Sequence, residues 1–393
     1  MLEMPAVQSE STMASRQHRN RALDGARGAS ALLVVLHHCA SPAAGGTGPG
    51  PLLSRVFDVA GHGAVALLFM LSGYLLFRES VGKLLYRESR TPLPHYFERR
   101  FLRIYPAYWV SLVGCAVVLG AASVNGSVFG LFTLTERFIN QVDLYPGLAV
   151  YWTLTVEVSF YVFLPLFATF VSLFLSRITG IERRFKTLLV LILGLTAITP
   201  LYIGLVVSAH HGDFRIISLL PRYIGWFSLG MLLTVLGELR NRQFLLPRAL
   251  TDLADRTWAC WLCTTAAFTA MIALKWNIKQ FIFFSDESTF QSQLTMLFLG
   301  VSAFFFLLPL CVGKTVSQGV AFLRSPAMVW IGSVSYGLYL WHLIVIVFIN
   351  QHLKLPTGFN GFLLLLTLTL IPSLVIGWLS SRLIEQPALR LAK

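Results

Sequence analysis

The chain has 393 residues, 55% of them hydrophobic and 12% charged, about half the charged fraction of a soluble domain. That composition excludes a soluble protein with a polar shell, and ten spans of about 20 residues each would use roughly half the chain, leaving no room for a large extramembrane domain. The net charge of +13 argues for nucleic acid only if the cations are spread at random, because multi-pass proteins collect the same excess on their cytoplasmic loops.

The first 20 residues, MLEMPAVQSESTMASRQHRN, are polar and read as a flexible cytoplasmic tail ahead of one transmembrane domain over 21–393. Apolar runs then predict ten helices at about 28–46, 58–78, 104–122, 148–176, 187–206, 218–239, 257–275, 291–312, 327–350 and 360–381. The first has the basic start and small-residue end of a secretory signal peptide, but His37 and His38 interrupt its apolar region, so it is expected to be retained. Segment 41–57 is rich in Gly and Pro and reads as an extracytoplasmic loop. Of the 31 Lys and Arg residues, 24 lie before the first span or after an even-numbered one. The expected fold class is therefore an all-α integral membrane protein of about ten transmembrane helices, with both termini cytoplasmic. Cys39, Cys115, Cys260, Cys263 and Cys311 all fall in apolar stretches, as small buried residues do and a disulfide framework does not. No internal repeat is visible.

Ionisable groups within spans are costly and mark functional positions. Arg27 and His38 are 11 residues apart, within about 20° of three full helical turns, so both point from one face with an axial separation of about 16 Å. That puts Arg27 at the inner interface and His38 near mid-membrane, while His37 points about 100° away and reads as a packing residue. In FERRFLRIYPAYW, Arg99, Arg100 and Arg103 share one face if the segment is helical. Such a cluster suits phosphate, because each guanidinium fork grips two oxygens, or it is a basic loop on anionic lipid. Glu157 is the clearest carboxylate inside a long apolar run and should there be either protonated or paired with a group such as a His or Arg. SVSYGLYLWHLIV places Ser335, Tyr339 and His342 on one polar stripe, which either packs against other helices or lines a substrate cavity. Glu385 and Pro387 close the last helix, with Pro387 as its stop.

These residues resemble a known pattern. RALDGARGASALLVVLHH is similar to the first helix of the membrane-bound acyltransferase family 3, whose signature of an Arg, ten residues and a His falls on Arg27 and His38. The resemblance continues in order through LLFMLSGYLL, RRFLRIYPAYW with the family's Arg-x-x-Arg as Arg100 and Arg103, WTLTVEVSFYVFLPL, SVSYGLYLWHLIV and a terminal Glu-Pro region at Glu385 and Pro387. It implies transfer of an acyl group from cytoplasmic acyl-CoA, most often acetyl-CoA, to a hydroxyl of a glycan or glycolipid, in a bacterial cytoplasmic (inner) membrane. With the chain ending at Lys393, a stand-alone member without an extracytoplasmic SGNH-type domain is expected. Ala66 stands where many relatives carry a polar or acidic residue, and no chemistry is assigned there.

Under that resemblance Arg27, Arg100 and Arg103 bind the CoA phosphates, and Ser335, Tyr339 and His342 contact substrate. His38 is the general base, its ordinary pKa of about 6.5 suiting proton transfer. Glu157 either orients the histidine or binds the acceptor. Membrane lipids and the acceptor are the expected partners, with no nucleic acid and no metal. The competing reading is a transporter or flippase for a glycan or lipid-linked substrate, without acyl transfer.

Overall fold

The computed structural model describes residues 6–41, 48–86, 92–124, 126–139, 146–210, 213–242, 246–276, 288–314 and 320–392. Its long helices are α1 (Ala6–Ala40), α2 (Pro51–Tyr86), α3 (Leu93–Leu119), α4 (Trp152–Ser176), α5 (Ile181–Leu205), α6 (Leu220–Asn241), α7 (Thr257–Trp276), α8 (Thr289–Cys311), α9 (Pro326–His352) and α10 (Phe359–Ser380). Each covers one expected span, and no strand occurs among the described residues. Nine of the described helical segments are long and apolar enough to cross a membrane. The protein is an all-α, multi-pass membrane protein.

The tenth helix, α1, misses that standard because even its apolar half carries Asp24, Arg27, His37 and His38. It nevertheless packs in the centre, against α9 and α2, with Val34, Val35 and Cys39 buried. α1 begins at Ala6, so helix runs through most of the segment expected to be a flexible tail. The first loop is also shorter than 41–57: α2 starts at Pro51, since a proline in the first helical turn sacrifices a donor that has no partner anyway, and residues 42–47 lie outside the described residues. At the other end, α10 passes through a π turn at Ser381–Glu385 into a last helix at Gln386–Leu391. Pro387 therefore does not stop the helix. It sits just after the π turn, at the start of that last segment.

α2, α6 and α8 bury most of their apolar residues inside the protein, while α5, α7 and α10 turn theirs outward. Leu201 and Leu205 on α5 and Trp258 and Leu262 on α7 are exposed, as a lipid-facing surface requires. The four free cysteines at positions 39, 115, 260 and 311 are buried and Cys263 is half-buried.

Small residues set the packing that matters for the site. Between lipid-solvated helices, association depends on close van der Waals contact, which glycine permits by letting backbones touch. A Cβ on Gly28 would stand 2.6 Å from the Met328 carbonyl oxygen and 2.9 Å from the Gly332 amide nitrogen. A Cβ on Gly332 would in turn collide with the backbone of Asp24. α1 and α9 are thus held backbone to backbone, which fixes the register of everything further along both helices.

Candidate active site

A cavity of about 530 Å³ opens among α1, α2, α3, α4 and α9, a volume suited to a small-molecule ligand. At one end it is lined by Arg27, Arg99, Arg100 and Arg103, with Glu79 beside them. The three arginines from FERRFLRIYPAYW lie on α3, so the helical spacing that brings them onto one face is realised. Arg100 pairs with Glu79 at 3.3 Å and lies over the rings of Tyr96 and Tyr161, at 5.5 and 5.9 Å. Its Nε is buried and makes no hydrogen bond within the protein, leaving a donor for a ligand. Arg103 pairs with Glu385 at 3.4 Å and lies over Tyr336. The carboxylate is almost wholly buried there, so the terminal Glu-Pro region serves to hold an arginine of this cluster. Arg27 makes no ion pair among the described residues. One turn before it, burial raises the Asp24 carboxyl above the ordinary carboxylate range, opposed by Arg27 itself.

Further in, the cavity is lined by Ser72, Thr153, Glu157, Tyr161, Ser335 and Tyr339. Glu157 Oε1 accepts hydrogen bonds from Tyr161 at 2.7 Å and Ser72 at 3.1 Å. Its partners are thus hydroxyls, and it stands with the arginine-lined cavity. Tyr339 donates to the Val150 carbonyl at 2.7 Å and shares a 2.6 Å hydrogen bond with Thr153, while Ser335 donates to the Gly332 carbonyl at 2.8 Å. Both side chains therefore reach the cavity with their donors committed to backbone, which makes them rigid walls.

His38 and His342 lie beyond the cavity lining and face each other. His342 is fully buried, and its Nδ1 can only donate to the carbonyls of Tyr339 and Leu338, at 2.7 and 3.2 Å. Its Nε2 then carries the lone pair and lies 3.3 Å from His38 Nδ1. His38 Nδ1 is also 2.9 Å from the Val34 carbonyl, again an acceptor only. Both contacts fix the proton of a neutral His38 on Nδ1 and leave the Nε2 lone pair for chemistry. The His342 ring is 5.8 Å from that of Tyr339, which lines the cavity, so the pair stands directly behind its inner wall. The structure brings Arg27, Arg100, Arg103, Glu157, Ser335 and Tyr339 into one cavity and His38 and His342 into one pair.

Sequence reading overlooked Glu79, Ser72, Tyr161 and Tyr336. Tyr161 was within reach, because it is four residues after Glu157 on the same helical face. Ser72 lies in LLFMLSGYLL, but nothing in its spacing indicates that α2 meets α4 at that point.

A family model described as an acyltransferase domain matches residues 20–382. The chain is 24% identical over 356 residues to nodulation protein 10 of Rhizobium leguminosarum bv. viciae, covering 83% of this chain and 82% of that protein. No solved structure matches.

Proposed function

The chain belongs to the acyltransferase family matched over residues 20–382, and from that premise we propose an integral-membrane O-acyltransferase that moves acetyl from cytoplasmic acetyl-CoA to a hydroxyl of an envelope or secreted glycan or glycolipid. Membership makes it an enzyme that transfers an acyl group other than an aminoacyl group, working in a membrane. The donor, the acceptor, the catalytic base and a bacterial inner-membrane location are the proposal. What carries it is one observation: a cavity with four arginines at one end stops at the wall behind which His38 and His342 are paired.

CoA presents phosphates at one end of a long thin arm and a thioester at the other. Arg27, Arg100 and Arg103 suit the phosphates, as charge-assisted donors within one cavity. The cation count puts this end at the cytoplasm, where the donor is made. Ser335 and Tyr339 form walls along which the arm extends toward the histidines, and His342 holds the base. In the reaction, His38 Nε2 takes the proton of the acceptor hydroxyl as its oxygen attacks the thioester carbonyl. The new C–O bond forms, the C–S bond breaks, and the proton passes from the imidazolium to the departing thiolate. Glu157, held by Ser72 and Tyr161, balances the cations of the donor site.

Mass spectrometry of surface and secreted glycans from cells with and without this gene tests the reading. The expected result is loss of one acetyl mass from each modified sugar in the deleted strain. Unchanged glycans and glycolipids would overturn the acceptor class.

A further inference from the structure

A second group of functional side chains lies where α1 and α2 cross, outside the cavity described above. The His37 ring is 4.7 Å from His38 and 5.1 Å from His62. Asp58 and His62 are one turn apart on α2, and Asp58 Oδ1 lies 3.6 Å from His37 Nδ1. One ligand atom from each of His37, Asp58 and His62 lies within 4.8 Å of the other two. All three side chains are largely buried, with 17%, 14% and 13% of their surface exposed. Sequence reading assigned no metal to the chain and treated His37 as a packing residue.

We propose that His37, Asp58 and His62 form a binding site for a divalent transition-metal ion, zinc by preference. A tetrahedral zinc with bonds of about 2.0–2.2 Å has ligand-to-ligand edges of about 3.3–3.6 Å, and the His37–Asp58 separation already equals such an edge. His62 Nδ1 lies 2.8 Å from the Asp58 carbonyl oxygen, to which it can only donate. That tautomer leaves the lone pair on Nε2 and anchors the ring through its other nitrogen, the outer-shell arrangement that metal-bound histidines use. Two imidazoles and one carboxylate select zinc and its transition-metal neighbours over calcium or magnesium, which take all-oxygen ligand sets. Three protein ligands leave a fourth position open for water or a hydroxyl.

The helices are built to hold this spacing. A Cβ on Gly61 would collide with His37, so the residue just before His62 has to be glycine for α1 to approach. The inference is independent of acyl transfer, because binding is read without turnover.

The test uses full-length protein in detergent, free of any affinity histidines and stripped with a chelator, titrated with Zn²⁺ by calorimetry and with Co²⁺ by visible absorption. The wild type is expected to bind one ion per chain, to give the strong d–d bands of four-coordinate cobalt, and to melt at a higher temperature with zinc present. Asp58→Asn and His62→Gln should each weaken zinc at least about 100-fold, the upper end of what losing even an outer-shell partner costs, and should abolish the zinc-dependent rise in melting temperature. His95→Gln, a histidine away from the cluster, should leave binding unchanged. Absence of stoichiometric zinc binding by the wild type would overturn the proposal, as would undiminished affinity in both ligand variants. If a variant fails to fold, the wild-type melting shift decides alone: no rise with zinc overturns it.

Discussion

Replacing Gly28 by alanine adds a single methyl group at a close backbone contact between α1 and α9. The new Cβ would lie 2.6 Å from the Met328 carbonyl oxygen, where ordinary contact begins at 3.4 Å, so α1 must withdraw by about 0.8 Å. Ten residues further on, the same two helices hold His38 to His342 at 3.3 Å. Carried along a rigid helix, the displacement opens that contact to about 4.1 Å, beyond hydrogen-bond range. Overpacking of this kind costs about 1–3 kcal/mol of stability, and misplacing a catalytic group by about 1 Å costs on the order of 100-fold in rate. The assay is thiol release from acetyl-CoA in the presence of acceptor, alongside thermal unfolding of the same sample. Gly194→Ala is the matched control, because a Cβ there meets nothing within 4 Å. Gly28→Ala with wild-type kcat and melting temperature would refute the idea that this helix contact sets the histidine pair.

Arg27→Gln should weaken acyl-CoA by about 10- to 100-fold, the worth of a hydrogen bond to a charged group, with little change in melting temperature since Arg27 makes no ion pair among the described residues; donor KM and calorimetric unfolding check both halves. Arg103→Ala should do both kinds of damage, raising donor KM and destabilising the fold by about 1–3 kcal/mol, because it leaves the buried Glu385 carboxylate uncompensated; Arg103→Ala/Glu385→Gln should recover the stability and leave KM raised. His342→Ala, which removes one hydrogen bond to His38, should lower kcat by about tenfold while donor KM stays near wild type.

The spans were legible because lipid imposes a simple rule: about 20 apolar residues per crossing, cations on one side. The alignment of Arg27 with His38 and the clustering of Arg99, Arg100 and Arg103 follow from the pitch of a single helix, so they too could be read directly. What could not be read was which helices are neighbours. His342 meets His38 across 304 positions of sequence, and its stripe on α9 looked like one surface. The structure divides that stripe, with Ser335 and Tyr339 lining the cavity and His342 behind it. Glu157 called for a partner of opposite charge or a histidine, yet two hydroxyls supply it, since a serine and a tyrosine carry no charge signal in an apolar run. The π turn at Ser381–Glu385 was equally invisible. Aspartate and histidine one turn apart on α2 were readable as a pair, but their third member lies on α1.

The central claim is that His38 is the base that moves an acyl group from CoA to a hydroxyl, and single-turnover acetyl transfer by purified His38→Ala protein tests it most directly. The account predicts a loss of about 100- to 10,000-fold with donor affinity and melting temperature close to wild type. Acetyl transfer at the wild-type rate by folded His38→Ala protein would contradict it.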